Sequence, residues 1–527
     1  MNFDEILNAE LLFLLGTNSW DAHPIVAQKI KRALERGAKC IVADPRRINF
    51  ADFSTLYLSL RPGSNIPLLC GMAYVILRDE LYNREFIENY VENFEAFKHY
   101  IFSEWDLSKA SRYTGLKPFL IEEAAYLYAT SKSALILWGL GVSEHRSGSY
   151  TAMAAANLAT LCGFWGRPGC GAMPLRGQNN VQGACDMGGL PYVLPGYQSY
   201  HDETVRLKFS EVWQVDLPTS EGKTLQGMLR DALQGKLKAL YVMGYDVAMS
   251  LGNLKEVWQA LKNLELLIVQ DIFMPYTARF AHIVLPAASF LEKCGTFTNG
   301  ERRVQYFEKA VSPPGEALPD WLILTKLAQS LGFAWNYKSP EEIFEEIGRV
   351  WQAVRGITYQ RLRKGGIQWP CFDEDHPGTA MLFTQGFPKG KVHLALTKYV
   401  PPFEESSEEY PFILVTVRKL EHYNVGSMTR RSRNLLKLYA EPTIEIHPED
   451  AKRLYIHEGI PVRIWNSRGE VIMKAHLNPR VPPGFLYTDF HFESALINML
   501  VSPGADELMD TPEYKVSAVN IAPLKEN

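Results

Sequence analysis

The feature that most constrains this chain is a short apolar run, a glycine, a helix and a second apolar run ending in an acid, written twice. The first copy is Leu11 to Leu15, Gly16, an amphipathic stretch from about His23 to Arg36, Gly37, then Cys40 to Ala43 leading to Asp44. Ile25, Val26, Ile30 and Leu34 fall on one stripe of that helix. The second copy is Leu240 to Met243, Gly244, a helical stretch from Leu254 to Leu261, then Leu266 to Val269 leading to Gln270 and Asp271. Such a unit is a parallel crossover. Its glycine lets backbone N–H groups approach a phosphate, the helix N-terminus adds partial positive charge, and the acid accepts ribose hydroxyls. Glycine to acid spans 28 residues in the first copy and 27 in the second. The match predicts a duplicated α/β scaffold holding two nucleotide groups, although two ordinary crossovers of a parallel sheet would read the same way. Neither copy is a full GxGxxG, which disfavours a standard NAD site.

A third strand, Ala134 to Trp138, ends in Gly139-Leu140-Gly141, and an Ala-rich helix from about Tyr150 to Cys162 packs behind it. Then comes the densest glycine region, from Gly163 to Gly189, enclosing Arg176-Gly177-Gln178-Asn179-Asn180-Val181-Gln182-Gly183. A long polar loop of this kind lines a site. After Pro401-Pro402 and the acidic run Glu404 to Glu409, expected to be a solvated linker, the texture turns to short strands. Phe412 to Val417, Thr443 to Ile446, Ile460 to Trp465 and Glu470 to His476 are the candidates, with a hairpin turn at Asn466-Ser467-Arg468-Gly469. The expected fold class is α/β, with two parallel-sheet cofactor-binding lobes (1–176 and 177–400), a linker (401–410) and a C-terminal β-barrel (411–527). Gly16, Gly139 and Gly244 should all lie at C-terminal strand ends opening toward one cleft.

Of the 527 residues, 46% are apolar and 22% charged, which excludes a disordered or fibrous chain. A formal charge of -4 advertises no nucleic-acid or anionic-membrane partner, and no apolar run is long enough to cross a bilayer. The acidic start is unlike a signal peptide, so the expected compartment is the cytoplasm. The cysteines at 40, 70, 162, 170, 185, 294 and 371 form no CxxC pair, so most are expected to be buried reduced thiols, with no metal ligand in this chain.

These strings resemble the catalytic subunit of molybdenum- or tungsten-dependent formate dehydrogenases, in the dimethyl-sulfoxide-reductase family. They are GTNSWDAHPIV from Gly16, VADPRRI from Val42, LWGLGVS from Leu137 and RGQNNVQGACDMGGLPYVLPGYQ from Arg176. Others are VQDIFM from Val269, LPAASFLEKCGTFTNGERRVQ from Leu285, TVRKLEHYNVGSMTRRS from Thr416 and TPEYK from Thr511. The resemblance implies a metal bound by two molybdopterin guanine dinucleotides. It also implies that a [4Fe–4S] cluster and the metal's selenocysteine or cysteine ligand belong to sequence preceding this chain. A selenocysteine codon read as a stop, or a genuinely split enzyme, would each account for that. Alone, the chain is then expected to be poorly stable, without an iron–sulfur cluster and inactive. Another oxidoreductase of the family, nitrate-reductase-like, and a non-catalytic cofactor-binding fragment are the competing readings.

By resemblance, Gly16, Asn18, Asp21, His23, Asp44, Arg46, Gly139 and Gly141 contact one guanine dinucleotide. Gly244, Asp246, Gln270, Asp271, Thr296 and Asn299 reach the other, while Thr416, Arg418, His422, Ser427, Met428, Asn498, Tyr514 and Lys515 face the pterins. Read alone, His23 and His422 are more simply helix-start or loop histidines making one backbone hydrogen bond, while Thr429 to Arg433 reads equally as a solvated basic loop or as a phosphate or pterin contact. Arg176 is the expected substrate residue, because a guanidinium can hold formate's carboxylate on two prongs, with Gln178 adding a hydrogen bond. Cys185 follows the substrate arginine in the motif and is not the metal ligand. The implied partners are formate, the N-terminal segment and iron–sulfur electron-transfer subunits.

Overall fold

The computed structural model describes residues 2–524 and divides into two compact units. Met1–Leu175, Met249–Val257 and Met381–Asn527 make the first, and Arg176–Ala248 with Trp258–Ala380 the second.

In the first unit, β1 (Leu11–Leu15), β2 (Lys39–Ala43), β3 (Leu56–Leu58), β4 (Ala134–Trp138) and β5 (Gly171–Pro174) form a wholly parallel sheet of order β3-β2-β1-β4-β5. Every residue of β1 is buried. Leu11, Phe13 and Leu15 enter one core with Ile41 and Ile136, while Leu12 and Leu14 enter another with Val42 and Leu137. Two covered faces are why the run is continuously apolar rather than alternating. The helix Pro24–Glu35 covers one face with Val26, Ala27, Ile30 and Ala33. Ile25, expected on the same stripe, instead points outward and is 73% exposed, since it stands one position round from the buried Val26 in the first turn. The helix Gly148–Leu161 covers the other face with Ala154, Ala155, Leu158, Ala159 and Leu161. Strand order runs one way from β1 through β2 and the other way through β4, so the crevice outside the C-terminal ends of β1 and β4 is a topological switch point.

The second unit holds a small hairpin, β6 (Val193–Leu194) with β7 (Gln198–Ser199), and a parallel sheet of β8 (Ala239–Met243), β9 (Leu266–Asp271) and β10 (Ile283–Pro286), in order β10-β9-β8. Beside these it has an antiparallel sheet of β11 (Gly295–Thr298), β12 (Arg303–Phe307) and β13 (Ile367–Gln368).

The C-terminal part of the first unit is a closed barrel. Its strands are β14 (Phe412–Thr416), β15 (Thr443–Ile446), β16 (Pro461–Asn466), β17 (Gly469–Leu477), β18 (Phe485–Thr488) and β19 (Ser517–Pro523), in order β14-β18-β15-β17-β16-β19. Burial alternates along β16 and β17, so Val462, Ile464, Val471, Met473 and Ala475 meet Leu414, Ile444, Leu486 and Ile521 inside. The hairpin turns where the sequence marks it, with Asn466 paired to Gly469.

The acidic run before the barrel is only partly a solvated linker. Glu405, Ser406, Ser407, Glu408 and Glu409 are exposed, but Glu404 pairs with Arg468 and accepts the backbone N–H of Ala518 at 2.8 Å. An acid beside a strand that needs an acceptor is drawn into the structure. Cys40, Cys70, Cys162, Cys170 and Cys371 are buried free thiols, whereas Cys185 and Cys294 are partly exposed. Burial pushes the Cys40 and Cys70 thiols up to about 12, so both stay protonated. No helix among the described residues is long and apolar enough to cross a membrane, and no group of three or more His, Cys, Asp or Glu among them could hold a metal ion.

Candidate functional site

In the first unit the site is built at the switch point. Gly16 directly follows β1 with φ +54°, a left-handed conformation that favours glycine. Its N–H donates to Ala43 O at 2.9 Å, and Gly141 N–H donates to Gly16 O at 3.0 Å. A Cβ on Gly16 would sit 2.7 Å from the Gly141 carbonyl carbon, one on Gly141 2.7 Å from Gly16 O, and one on Gly139 3.0 Å from Thr17 Cβ. The two strand-end loops therefore meet backbone to backbone. Beyond them Asn18 Nδ2 donates to Asp21 Oδ2 at 2.7 Å, while Asn18 Oδ1 is buried and accepts no hydrogen bond among the described residues. Burial raises the Asp21 pKa, opposed by Arg46 and by Asn18. His23 stands at the N-cap of the helix Pro24–Glu35. Asp44 accepts Arg46 N–H at 3.0 Å through Oδ1, and burial pushes its carboxyl up to about 6.

The barrel residues of the same unit divide into those gathered with this cluster and those held elsewhere. Arg46 pairs with Glu445 in β15 at 2.9 Å, and Lys419 reaches the same carboxylate at 2.5 Å. Asn478 Nδ2 adds a third donor at 2.8 Å. Burial acts to raise the Glu445 pKa, but Arg46 and Lys419 together bring it below the ordinary value. Thr416 Oγ1 donates to Tyr514 O at 2.9 Å, and Lys515 Nζ donates to Thr416 O at 2.8 Å while pairing with Glu144 at 2.9 Å. These three expected residues thus form one knot, with Glu144 as an unexpected fourth member. Arg418 donates to Asn424 Oδ1 at 2.9 Å.

The His422 ring is buried between Thr429 Oγ1 at 3.0 Å and Tyr439 O at 2.8 Å, so both nitrogens have partners within the barrel. Ser427 O accepts Arg431 Nε at 3.0 Å, Met428 is 43% exposed, and Arg430 pairs with Glu493 at 2.9 Å. Asn498 Nδ2 donates to Met249 O and Ser250 O, both at 3.0 Å, tying the short segment Met249–Val257 to the barrel end of the unit.

The second unit repeats the first glycine–acid geometry bond for bond. Gly244 has φ +61° and donates to Gln270 O at 2.8 Å, the residue before Asp271, as Gly16 donates to the residue before Asp44. Asp271 Oδ1 accepts Phe273 N–H at 3.0 Å, as Asp44 Oδ1 accepts Arg46 N–H, and burial raises its pKa too. The neighbouring side chains are more occupied. Asp246 accepts the N–H groups of Tyr276 and Thr277, both at 2.9 Å, and the Thr277 hydroxyl at 2.6 Å. Fully buried Gln270 donates to Asp320 at 2.7 Å and accepts from the Tyr241 hydroxyl. Asn299 closes its own turn, accepting from Glu301 N at 3.1 Å and Arg303 N at 3.0 Å, and Thr296 lies half-buried in β11.

Arg176 and Gln178, both partly buried, open the loop that leads into the short helix Val181–Asp186. Asn180, with φ +59°, anchors that loop by accepting Thr298 N–H of β11 at 2.9 Å. At the helix end Asp186 is fully buried and accepts from Gln182 Nε2 at 2.7 Å, Tyr197 OH at 2.9 Å and Trp369 Nε1 at 2.8 Å. Arg302, 6% exposed, donates to Thr379 O at 3.1 Å and to Trp369 O. Burial lowers its pKa to about 10. Sequence reasoning assigned no role to Asp186, Arg302, Lys419, Glu445 or Glu144. Asp186 and Arg302 lie inside the motif strings, and Glu445 is an acid within an otherwise apolar strand, which was the available signal.

Comparison with known proteins identifies two matched regions. Residues 1–330 match the family described as "Molybdopterin oxidoreductase", and residues 412–518 match the "Molydopterin dinucleotide binding domain". The F420-dependent formate dehydrogenase subunit alpha of Methanocaldococcus jannaschii is 44% identical over 525 residues, covering 99% of this chain and 77% of that protein. Formate dehydrogenase H of Escherichia coli is 38% identical over 528 residues, covering 99% of this chain and 74% of that protein. Among solved structures, acetylene hydratase from Pelobacter acetylenicus shares the fold, with a TM-score of 0.77 at 20% identity, over 99% of this chain and 81% of that one.

Proposed function

The chain belongs to the molybdopterin oxidoreductase family, and from that membership we propose that it is catalytic sequence of a formate dehydrogenase alpha subunit, oxidising formate to CO2, a proton and two electrons. The observation that carries this reading is the 44% identity to such a subunit across 99% of the chain. Its cofactor is a molybdenum or tungsten bis(molybdopterin guanine dinucleotide). When bound, that group supplies the two-electron acceptor.

The residues present suit such a group. Gly16, Gly139 and Gly141 let the two strand-end loops meet backbone to backbone where a Cβ would clash. Their own N–H groups are bonded to the carbonyls of Ala43, Leu15 and Gly16, and the loop surface beyond them can be approached closely by a pyrophosphate. Buried Asn18 Oδ1 offers an acceptor to the N–H edge of a guanine. Asp44 and Asp271 each spend Oδ1 on a backbone N–H, leaving Oδ2 for ribose or base donors of one dinucleotide each. Lys515, held by Glu144 and Thr416, presents a fixed cation from the barrel side.

Arg176 binds the formate carboxylate on two prongs and so aims the C–H bond, and Gln178 adds a hydrogen bond. Holding a small anion in one orientation removes rotational freedom before the electrons move. The resemblance assigns the [4Fe–4S] cluster and the metal's selenocysteine or cysteine ligand to sequence preceding these residues. It sends the electrons to iron–sulfur partner subunits, and both assignments belong to this proposal, as does the cytoplasm as compartment. The test is anaerobic assay of the complete, metal-loaded enzyme with formate and a viologen dye. Formate-dependent dye reduction is expected; dye oxidation by nitrate, with none reduced by formate, overturns the reading.

A further inference from the structure

The two parallel sheets match strand for strand on one side and differ on the other. β1 and β8 each run into a left-handed glycine, and β2 and β9 each lead into the acid. β3 and β10 then follow at an equal separation, Ala43 pairing with Leu58 and Gln270 with Leu285. Beyond β1 the first sheet continues into β4 and β5, whereas among the described residues no strand pairs with the outer edge of β8. The main chain of β8 is turned toward that open side. Lys238 O accepts Leu266 N–H at 3.1 Å and Gly244 N–H donates to Gln270 O at 2.8 Å, so the even-numbered residues face β9. Alternation directs the N–H and C=O groups of Tyr241 and Met243 the other way. On the corresponding side of β1, Leu11 N–H donates to Ser133 O at 3.1 Å and Leu15 O accepts Gly139 N–H at 3.4 Å, at the two ends of β4. Burial follows the same difference. Every residue of β1 is buried, but in β8 only Val242 is, and Met243 is 49% exposed where Leu15 is 0%. An apolar strand with an open edge is a template for another strand.

We infer that the outer edge of β8 is a docking edge, and that its occupant is a strand of the polypeptide preceding these residues in the complete alpha subunit. That strand runs parallel to β8, as β4 runs parallel to β1. The inference rests on the reading of this chain as alpha-subunit sequence, and it gives the preceding segment a task besides carrying the cluster and the metal ligand. Relatives have length for such a strand, since this chain covers 77% of the Methanocaldococcus subunit and 74% of formate dehydrogenase H. The direction follows from the sheet, in which β8, β9 and β10 are all parallel. The chemistry of the strand follows from β8. Leu240 and Tyr241 point to opposite faces and both are only half-buried, so both faces call for apolar cover. The added strand is therefore continuously apolar, as β4 is, rather than alternating. A second copy of this chain fits the edge less well, because pairing about a two-fold axis would set the two β8 strands antiparallel.

The test is hydrogen–deuterium exchange on the unsubstituted complete enzyme, resolved to single amides by fragmentation. The N–H groups of Tyr241 and Met243 are expected to exchange within about tenfold of those of Phe13 and Leu15 in β1. Exchange at the rate of a freely solvated amide at both positions overturns the inference. The occupant is identified with Met243→p-benzoylphenylalanine in the same complete enzyme, irradiated and then digested for mass spectrometry. A cross-linked peptide from the polypeptide preceding these residues is expected. One from a second copy of this chain, or from an iron–sulfur subunit, overturns the occupant proposed here. Should that variant fail to assemble, Ala239→p-benzoylphenylalanine carries the reagent at the exposed start of β8, with the same two outcomes. Neither readout needs turnover, so the docking edge and the function fail separately. Formate-dependent dye reduction with freely exchanging Tyr241 and Met243 removes the docking edge alone. Protected amides in an enzyme that reduces no dye with formate remove the function alone.

Discussion

Arg46 and Glu445 stand 399 residues apart in sequence and 2.9 Å apart in space, with only 2% of the Glu445 side chain exposed. The pair fastens the loop after the first strand-end acid to the barrel, and Lys419 makes it a triad. Removing the carboxylate would leave two cations facing each other out of water. Glu445→Gln should therefore destabilise the complete enzyme by about 3 kcal/mol, read as a lowered Tm. Because the cations depress the folded-state pKa of Glu445, its contribution is full above the ordinary carboxylate range and is lost as pH falls through the depressed value. The Tm difference between wild type and variant should shrink in acid, and a constant difference down to that range would count against the triad.

Arg176→Lys keeps the charge and loses the planar pair of donors. In the complete enzyme it should retain metal and cofactor while losing roughly 10- to 150-fold in formate turnover, as expected if about 1.5–3 kcal/mol of charge-assisted bonding is felt in the transition state. Steady-state formate oxidation normalised to metal content decides it, and full turnover at full loading would return Arg176 to the status of a loop residue.

Gly16 and Gly244 share a left-handed backbone but differ in their surroundings. A Cβ at Gly16 strikes the Gly141 carbonyl carbon at 2.7 Å, whereas at Gly244 it meets nothing within 4 Å. Gly244→Ala should cost only about 1 kcal/mol of backbone strain. Gly16→Ala adds a main-chain clash and should cost several times more, with much reduced dinucleotide content after purification. Equal Tm losses in the two variants would contradict the close approach of the two loops.

Glu513 is fully buried and accepts the N–H groups of Phe403 at 2.9 Å and Arg146 at 3.3 Å. Burial pushes its carboxyl from 4.5 up to about 7. His145, 4.0 Å away, is driven by burial to about 4 and is neutral at neutral pH, so the contact is not an ion pair there. For a raised folded-state pKa, stability is full below about pH 4.5 and declines as pH rises toward 7, by up to about 3 kcal/mol. Glu513→Gln should flatten that decline in a series of unfolding curves from pH 5 to pH 8. A wild-type curve without the decline would show that Glu513 ionises freely.

Much of the scaffold was legible because local composition decides it. Leu11–Leu15 and Ala134–Trp138 are buried from both sides, so their runs are unbroken, and the hairpin at Asn466–Gly469 carries its own turn residues. Ile25 was misplaced because one turn of a short helix leaves a stripe ill defined. The partners of buried acids were not legible. Trp369 reaches Asp186 over 183 residues, and Glu404 finds Ala518 over 114, distances at which no local pattern carries information. The first unit's middle segment, Met249–Val257, was likewise hidden, since it lies within the second crossover pattern and is claimed by Asn498.

That interleaving has a consequence for how the protein is made. The first unit needs Arg46 and Glu445 in the same place, and its barrel closes only when β19 pairs with β14 and β16. At about 5–20 residues per second, roughly 20–80 seconds of synthesis separate Arg46 from Glu445 on the ribosome. Through that interval the parallel sheet can assemble from nearby sequence, but the loop that ends in Arg46 has no counter-charge and the Gly16 cradle no barrel beside it. The triad of Arg46, Lys419 and Glu445 therefore cannot join sheet to barrel until the barrel strands through β19 have been synthesised.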